Sequence, residues 1–537
     1  MGRYFVSDVL AAVTALPDVN ARLAAMQKLD LIHLDKGSGE FHFKHALVRD
    51  ALYAGLLTGL RRTLHFKIAA EIERRNANRL VEVVEILAHH YSQSGCTDKA
   101  VEFLALSGAK SLGINSLDEA EQFLRTGLVL ARSADPARMD PQVAGMLVDL
   151  AKTLRLKFQA NQIIRLLEPE LTKIEALGEI EAVPILLNFY AVALFQVCRF
   201  LEGKRVQDKA LALAERLQDD KSLAYSRTGH LLLSTVIDPL PLREFARFAE
   251  QALRESERTE DIYLMGWTIW VVAWNYVHRG LKVEGHELAT RLMKRGQESR
   301  DPRSIGAALW LFGWLDILVE NYASALANGE ECVQRALTPF DRQIGYLIVG
   351  SAKLLMGQIT EGFETIKRWR DESLANGYHY TALATEVPFS VGMALSGEFK
   401  KGVRWLEGVI ERCETQYCYQ FYADFARLHL AEMYLALLRP KKRPPLQLLL
   451  KNPMFLMYAR VMARWKAEEL LNAASRNKTF SNEGVFRARI DFDFAQLYIA
   501  TNKLDLARKH LERARMVAAR QNAFPLIARV DAAMAAL

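Results

Sequence analysis

The chain has 537 residues, half of them hydrophobic and a quarter charged, with only 30 glycines and 15 prolines. This composition excludes a disordered chain and disfavours a sheet-and-turn protein, and the length requires several domains or one extended array. The net charge of +7 is mild for this length. One compact basic run occurs, Lys441–Arg443, which we interpret as a solvated loop. Because a nucleic-acid binder usually clusters its positive charge on one element, we expect no nucleic-acid partner.

The cysteine pattern indicates a reducing compartment. Five cysteines are scattered along the chain, and none has a spacing typical of a zinc or redox site. No uncharged apolar run is long enough to span a bilayer. We therefore expect a cytoplasmic protein without a membrane partner. The cysteines are Cys96, Cys198, Cys332, Cys413 and Cys418.

The first residues predict a small mixed module. Two helices are expected at Phe5–Leu16 and Ala21–Leu29. Strands at Leu31–Leu34 and Glu40–Phe43, joined by a turn, predict a β-hairpin, and a helix should begin near His45. Helix, helix, hairpin and helix together suggest a winged helix, which we assign with its linker helix to residues 1–80.

The histidines do not form a recognisable metal motif. His89 and His90 are adjacent, so we expect one ring in the core, the other exposed, and no joint chelation. His42 and His45 are three residues apart without a supporting cysteine or carboxylate cluster. No zinc-protease, nucleophile-elbow or dinucleotide motif occurs either. We therefore expect no metal, no cofactor and no enzymatic activity in this chain.

A repeat dominates residues 81–415. A turn glycine is followed five residues later by a small residue, then by apolar residues four and three positions further on, as at Gly95, Gly280, Gly357 and Gly397. The repeat has a period of about 40 residues, longer than the usual helical hairpin repeat. Another small residue, such as Gly350 or Ser390, precedes the first one by twelve. Paired small residues allow two helices to approach closely, so the pattern predicts helical hairpins.

The predicted fold is all-α, a tetratricopeptide-like right-handed α-superhelix in which each hairpin packs only against its neighbours. The motif Leu87-Ala88-x2-Tyr91-x3-Gly95-x4-Ala100 resembles the tetratricopeptide repeat. Residues 416–537 are expected to be an irregular helical region with one C-terminal repeat. Ser116 with Glu119 is predicted to form a capping box, and Asp301-Pro302 to start a helix.

Tryptophans mark the candidate binding surface. Those at the first helix of one repeat lie on one helical face, and those of the next repeat occupy matching positions. They either line the concave groove, where they would anchor an apolar peptide or helix, or pack inside longer hairpins. The tryptophans are Trp267, Trp270, Trp274, Trp310 and Trp314.

The N-terminal region, positions 1–130, also resembles a known family. The motif Phe41-x-Phe43-x-His45-Ala46-Leu47-Val48-x-Asp50-Ala51-x-Tyr53, continued by Arg61-Arg62-x-Leu64-His65 and Leu87-Ala88-x-His90-Tyr91, is similar to the winged-helix and first repeats of bacterial STAND-type ATPases. The most similar members are linked to class III adenylate/guanylate cyclases, and the maltose-regulator type shares the layout. The resemblance implies that His45 senses the nucleotide state. Because this chain has no phosphate-binding loop, a histidine that caps or packs on the hairpin is the alternative.

These observations lead to two functional hypotheses. In the first, the chain is a non-catalytic, signal-sensing arm that binds a protein, peptide or small effector in its groove and acts on an ATPase/cyclase domain in cis or in trans. The start Met1-Gly2-Arg3-Tyr4-Phe5 lies within the resembling segment, so we expect a piece of a larger protein. In the second, the chain is a free-standing adaptor that docks a peptide or helix in the groove.

Overall fold

The computed structural model describes residues 4–14, 16–35, 37–438 and 451–537, and most of these are helical. The basic run Lys441–Arg443 and the start Met1-Gly2-Arg3 lie outside the described residues. The chain divides into two compact units. The first comprises Met1–Lys157 with Glu170–Gly178, and the second comprises Phe158–Pro169 with Glu179–Leu537.

The helices run along the chain in this order. The first ten are α1 Ser7–Thr14, α2 Val19–Lys28, α3 Ala46–Ala54, α4 Thr58–Arg75, α5 Val84–Ser94, α6 Thr97–Gly113, α7 Leu117–Ala134, α8 Pro141–Leu156, α9 Ala160–Leu167 and α10 Leu171–Ala176. The next nine are α11 Ala182–Gln196, α12 Phe200–Leu217, α13 Asp220–Val236, α14 Leu242–Arg258, α15 Ile262–Arg279, α16 Lys282–Glu298, α17 Pro302–Leu318, α18 Tyr322–Gln334 and α19 Pro339–Leu355. The remainder are α20 Ile359–Ala375, α21 His379–Leu395, α22 Phe399–Thr415, α23 Gln420–Leu438, α24 Pro453–Ser475, α25 Val485–Ala500, α26 Leu504–Arg520 and α27 Phe524–Ala535.

A three-stranded antiparallel sheet opens the first unit. Its strands are β1 Tyr4–Phe5, β2 Ile32–Leu34 and β3 Phe41–Phe43, in the order β1-β3-β2. The predicted hairpin is therefore confirmed, and β1 pairs with its second strand. A small core joins the sheet to α2, because alternate strand residues and one face of the helix are apolar. Its buried members are Phe5, Val19, Leu23, Ile32 and Phe41.

The hairpin repeat is confirmed in the second unit. The first helices of six successive hairpins, α13, α15, α17, α19, α21 and α23, start about 40 residues apart. The glycines explain how closely each pair packs. A β-carbon on Gly362 would lie 2.8 Å from the carbonyl oxygen of Gly350, and one on Gly402 would lie 2.7 Å from that of Ser390. Larger side chains there would force the two helices of a hairpin apart.

Helix caps agree with the sequence at one predicted site and differ at the other. The Asp301 carboxylate accepts hydrogen bonds from the backbone N–H groups of Arg303 and Ser304, with a proline at the first helical position. The capping box predicted at Ser116 is wrong, because its hydroxyl bonds to the Glu119 carboxylate instead of to backbone. A reciprocal capping box occurs at Thr338, before α19.

The C-terminal hairpin of the second unit does not pack only on its neighbour in sequence. The backbone N–H of Val485 donates to the Gly280 carbonyl at 2.8 Å, and that of Ser481 donates to the Arg279 carbonyl at 3.1 Å. A β-carbon on Gly484 would lie 2.2 Å from the latter oxygen, so only glycine fits this approach. The expectation that hairpins touch only sequence neighbours is therefore wrong here, because the chain returns to the α15–α16 turn from a distant part of the sequence.

Among the described residues, no helix combines the length and the apolar character that crossing a bilayer requires.

Candidate functional site

The second unit contains a cavity of about 410 Å³. Helices α15, α17, α21, α23 and α25 contribute most of its wall, so residues far apart in sequence face one space. The wall is predominantly apolar, and nine of the lining side chains are tryptophan, tyrosine or phenylalanine. Cavities of this size and character are typical of sites for small ligands. These aromatic residues are Trp274, Trp314, Tyr322, Tyr380, Tyr419, Phe421, Tyr422, Phe425 and Phe486.

A charged cluster also lines the cavity. Arg489 donates a hydrogen bond to the Glu432 carboxylate at 2.6 Å, and Arg529 forms an ion pair with Glu320. Burial tends to raise the pKa of Glu432, but the charge of Arg489 outweighs it and keeps the pKa below its usual value. The carboxylate therefore stays ionised and paired. These fixed charges give an otherwise apolar cavity groups that orient a ligand.

Hydrogen bonds fix the aromatic wall. The His278 Nδ1 lies 3.0 Å from the Trp274 carbonyl oxygen, which only accepts, so Nδ1 carries the proton. The other ring nitrogen then accepts from the Tyr419 hydroxyl at 2.6 Å. The Trp274 ring also packs edge-on against the His278 ring, with centroids 4.2 Å apart. These contacts hold the rings of Trp274, His278 and Tyr419 in fixed positions at the cavity wall.

Burial also sets the protonation state of this network. Desolvation lowers the pKa of His278 to about 3, with a smaller contribution from the Arg279 charge. The imidazole is therefore neutral at pH 7, as the hydrogen-bond pattern requires. Burial likewise raises the pKa of Tyr419 well above its usual value, so its hydroxyl remains a donor. The wall presents neutral hydrogen-bonding groups beside the charged cluster.

The structure brings part of the tryptophan set to this cavity. Trp274 and Trp314 line it directly. Trp310 is buried with its ring centroid 4.6 Å from that of Trp274, and Trp270 lies 5.3 Å from Trp310. Trp267 is buried further along α15, in contact with Tyr263. Two of the five are therefore positioned at the cavity, Trp270 and Trp310 pack against Trp274, and Trp267 packs elsewhere.

His45 does not line the cavity. It is exposed at the residue preceding α3, and its side chain makes no capping hydrogen bond. Of the alternatives to nucleotide sensing, capping is therefore wrong, and packing of this ring on the hairpin stays a prediction. An exposed ring at the start of a helix is accessible to a partner.

The expectation that His89 and His90 cannot share a ligand is also wrong. One is exposed and the other buried, as predicted, but both rings flank His65 of α4. Adjacent helical residues point about 100° apart, and a third residue on a facing helix can lie between them. The possible ligand atoms of the three rings lie within 4.8 Å of one another.

Sequence reasoning missed most of the cavity wall. Tyr419, Phe421, Tyr422 and Phe425 come from the stretch classed as irregular, and Arg489 from the C-terminal repeat. The one available signal was the density of aromatic residues at 417–425, unusual for a solvated connection. Nothing in the local pattern indicated which distant helices those rings would face.

Several solved structures are similar to this chain. A Rap protein complexed with competence and sporulation factor is 12% identical with a TM-score of 0.43, over 71% of this chain and 98% of that one. The STAND protein with a tetratricopeptide repeat sensor from Pyrococcus horikoshii is 12% identical with a TM-score of 0.33, over 88% of this chain and 62% of that one. Yeast Tom70 is 11% identical with a TM-score of 0.30, over 85% and 96%.

No family model matches this sequence, and no curated protein matches it. The similar structures are only 11–12% identical to the chain, a level that concerns the fold alone. The fold class itself follows from the helical hairpins of the second unit and their regular spacing. The chain has an all-α, tetratricopeptide-like superhelical fold.

Proposed function

We propose that this chain is the non-catalytic sensing arm of a signalling protein, with an effector-binding cavity in the second unit and a docking face for an ATPase/cyclase domain in the first. The observation that carries the proposal is the aromatic cavity with its charged cluster. A superhelix that served only as a scaffold would gain stability by filling such a space with side chains.

The chemistry of the cavity favours a small apolar effector. Nine aromatic rings offer a large contact area at a low entropy cost, because each is already held by its neighbours. The Trp314 ring lines the cavity and packs on Trp310, so it offers a fixed apolar contact to a ligand. The Arg489–Glu432 pair would orient a polar group at the charged cluster. A ligand screen would distinguish this small effector from the other candidate ligand, a short peptide with an apolar side chain.

The docking face is α3 with the turn that follows it. None of the residues of α3 is buried. Leu47 in this helix is 82% exposed, and Leu57, just beyond the helix, is 79% exposed. Apolar side chains clustered on one short segment are typical of an interface. We infer that positions 1–80 form a winged-helix module whose partner is an ATPase/cyclase domain, in cis or in trans. His45 starts the same helix, which is where a nucleotide-sensing residue would meet that domain.

The number and spacing of the thiols support a cytoplasmic location for this arm. The five cysteines are free, and burial raises the pKa of Cys198, Cys332 and Cys413, which keeps these thiols unreactive.

A test of the cavity uses the neutral solvatochromic dye Nile red and two alanine-to-tryptophan variants. Ala384 lines the cavity, so Ala384→Trp fills it, whereas Ala327 is exposed on α18 and Ala327→Trp is the matched control. We expect saturable binding of one dye per wild-type chain, unchanged in Ala327→Trp. In Ala384→Trp the affinity should fall at least tenfold. Equal binding by all three proteins would contradict the cavity as the site.

One observation favours the adaptor function as a second candidate. On α24, Met454, Met457, Tyr458 and Val461 are all more than half exposed, at the spacing of a single helical face. Such a face is typical of surfaces that receive a partner helix. If Nile red binding survives Ala384→Trp but is lost on Met457→Glu, this exterior surface, and not the cavity, is the binding site.

A further inference from the structure

Three histidines from two helices meet in the first unit. His65 lies on α4, and His89 and His90 lie on α5, with ring centroids separated by 4.9 to 5.8 Å. The Nδ1 atoms of His65 and His90 are 2.8 Å apart. His65 and His90 are buried, whereas His89 is exposed and closes the cluster from the solvent side. One edge of the cluster is thus accessible from outside.

A second group orients the central ring. The Tyr53 hydroxyl lies 2.9 Å from Nε2 of His65. When Nε2 donates its proton to that hydroxyl, Nδ1 presents its lone pair toward His90. A ligating histidine in metalloproteins commonly donates its other N–H to an oxygen in this way, which fixes the tautomer and the ring orientation.

The electrostatics of the cluster select the kind of ion. The two Nδ1 atoms share one proton at this distance, so a metal ion that bound both would shift that proton to Nε2 of His90. Neighbouring carboxylates are engaged elsewhere, Glu73 with Lys99 and Glu85 with Lys110. Neutral imidazoles without carboxylates suit zinc-like ions and disfavour magnesium and calcium.

We propose that His65, His89 and His90 form a three-histidine site for a divalent transition-metal ion, zinc(II) being the ion whose preferences they match best. Tetrahedral zinc with nitrogen ligands at about 2.0–2.1 Å places those nitrogens about 3.3 Å apart. The His65–His90 separation needs to open by about half an ångström, and the exposed His89 to turn inward. A fourth position is left for water on the solvent side. The ion would tie α4 to α5.

The test uses zinc(II) and the full chain, with His89→Ala as the main variant. His89 is exposed, so its removal leaves the fold intact, which circular dichroism verifies. The matched control is His379→Ala, an exposed histidine at the start of α21. Calorimetric titration should give one zinc per wild-type chain and per His379→Ala chain. The affinity of His89→Ala should be lower by at least tenfold.

A second readout separates ligation from adventitious binding. Cobalt(II) in a tetrahedral nitrogen site gives intense visible absorption, which we expect with wild type and not with His89→Ala or His65→Gln. Zinc should also raise the thermal unfolding midpoint of wild type, and that of His89→Ala much less. Equal zinc affinity in wild type and His89→Ala, or only weak binding without cobalt absorption, would overturn the proposal. The close contact of His65 with His90 would then be a hydrogen bond between two histidines and nothing more.

Discussion

The aromatic cavity of the second unit and helix α3 of the first unit place their apolar side chains differently. In the second unit the C-terminal hairpin returns to the α15–α16 turn, and nine aromatic rings line a cavity that is partly open to solvent. In the first unit α3 carries leucines that point into solvent, and none of its residues is buried. The rings at the cavity pack against one another, whereas the leucines of α3 face the solvent. The concave aromatic surface suits a small ligand, and the exposed leucines suit a protein partner.

The largest effect on stability should come from removing one partner of the Arg489–Glu432 ion pair. Arg489→Met leaves the Glu432 carboxylate without its partner, and we expect a loss of about 3 kcal/mol in the free energy of unfolding. This is the low end for a buried pair, because a third of the Glu432 side chain stays accessible. Denaturant unfolding measures it. The control is Arg520→Met, whose bridge to Glu483 is exposed and should contribute little. Equal losses would mean that the cluster is not buried.

An intermediate effect is expected from acid. The pKa of His278 is lowered to about 3 in the folded chain, against about 6.5 when unfolded. Below pH 6.5 the unfolded chain takes up a proton that the folded chain does not, so stability falls as pH falls toward 3. Between pH 7.5 and 5.5, wild type should lose about 1–2 kcal/mol more than His278→Asn. Denaturant midpoints at the two pH values measure this difference. An equal pH dependence of the two proteins would show that His278 is not buried as described.

Replacing the exposed leucines on and just after α3 by glutamate should have the smallest effect on stability and the clearest effect on self-association. Leu47→Glu with Leu57→Glu alters two highly exposed side chains, so unfolding should change by less than about 0.5 kcal/mol. Self-association of the isolated chain, measured by sedimentation velocity, should decrease. Val129→Glu, at another exposed apolar residue of the first unit, is the control. A change in association with Val129→Glu, or none with the leucine variant, would remove α3 as the docking face.

Much of the architecture was predictable because it depends on local spacing. Gly362 and Gly402 indicated where helices touch, and their neighbours at Gly350 and Ser390 lie in contact as expected. The Asp301-Pro302 cap was readable for the same reason, since a cap involves only residues within one turn.

The cavity was not predictable, because it depends on contacts between distant parts of the chain. His278 and Tyr419 are 141 residues apart, and no periodic pattern specifies that they meet. Gly484 was outside the recognised repeats, although its close approach to Arg279 permits the return of the C-terminal hairpin. The histidine cluster was not predictable for a related reason. The adjacent pair His89 and His90 does not indicate that the facing helix α4 places His65 between the two rings.

The most direct measurement of the central claim is a crystal structure of the chain with Nile red bound. We expect density for one dye inside the cavity, against Trp274, Trp314 and Tyr380, with the α24 surface free of dye. Density only on the exposed face of α24, with an unchanged cavity, would contradict an effector-binding function for the second unit.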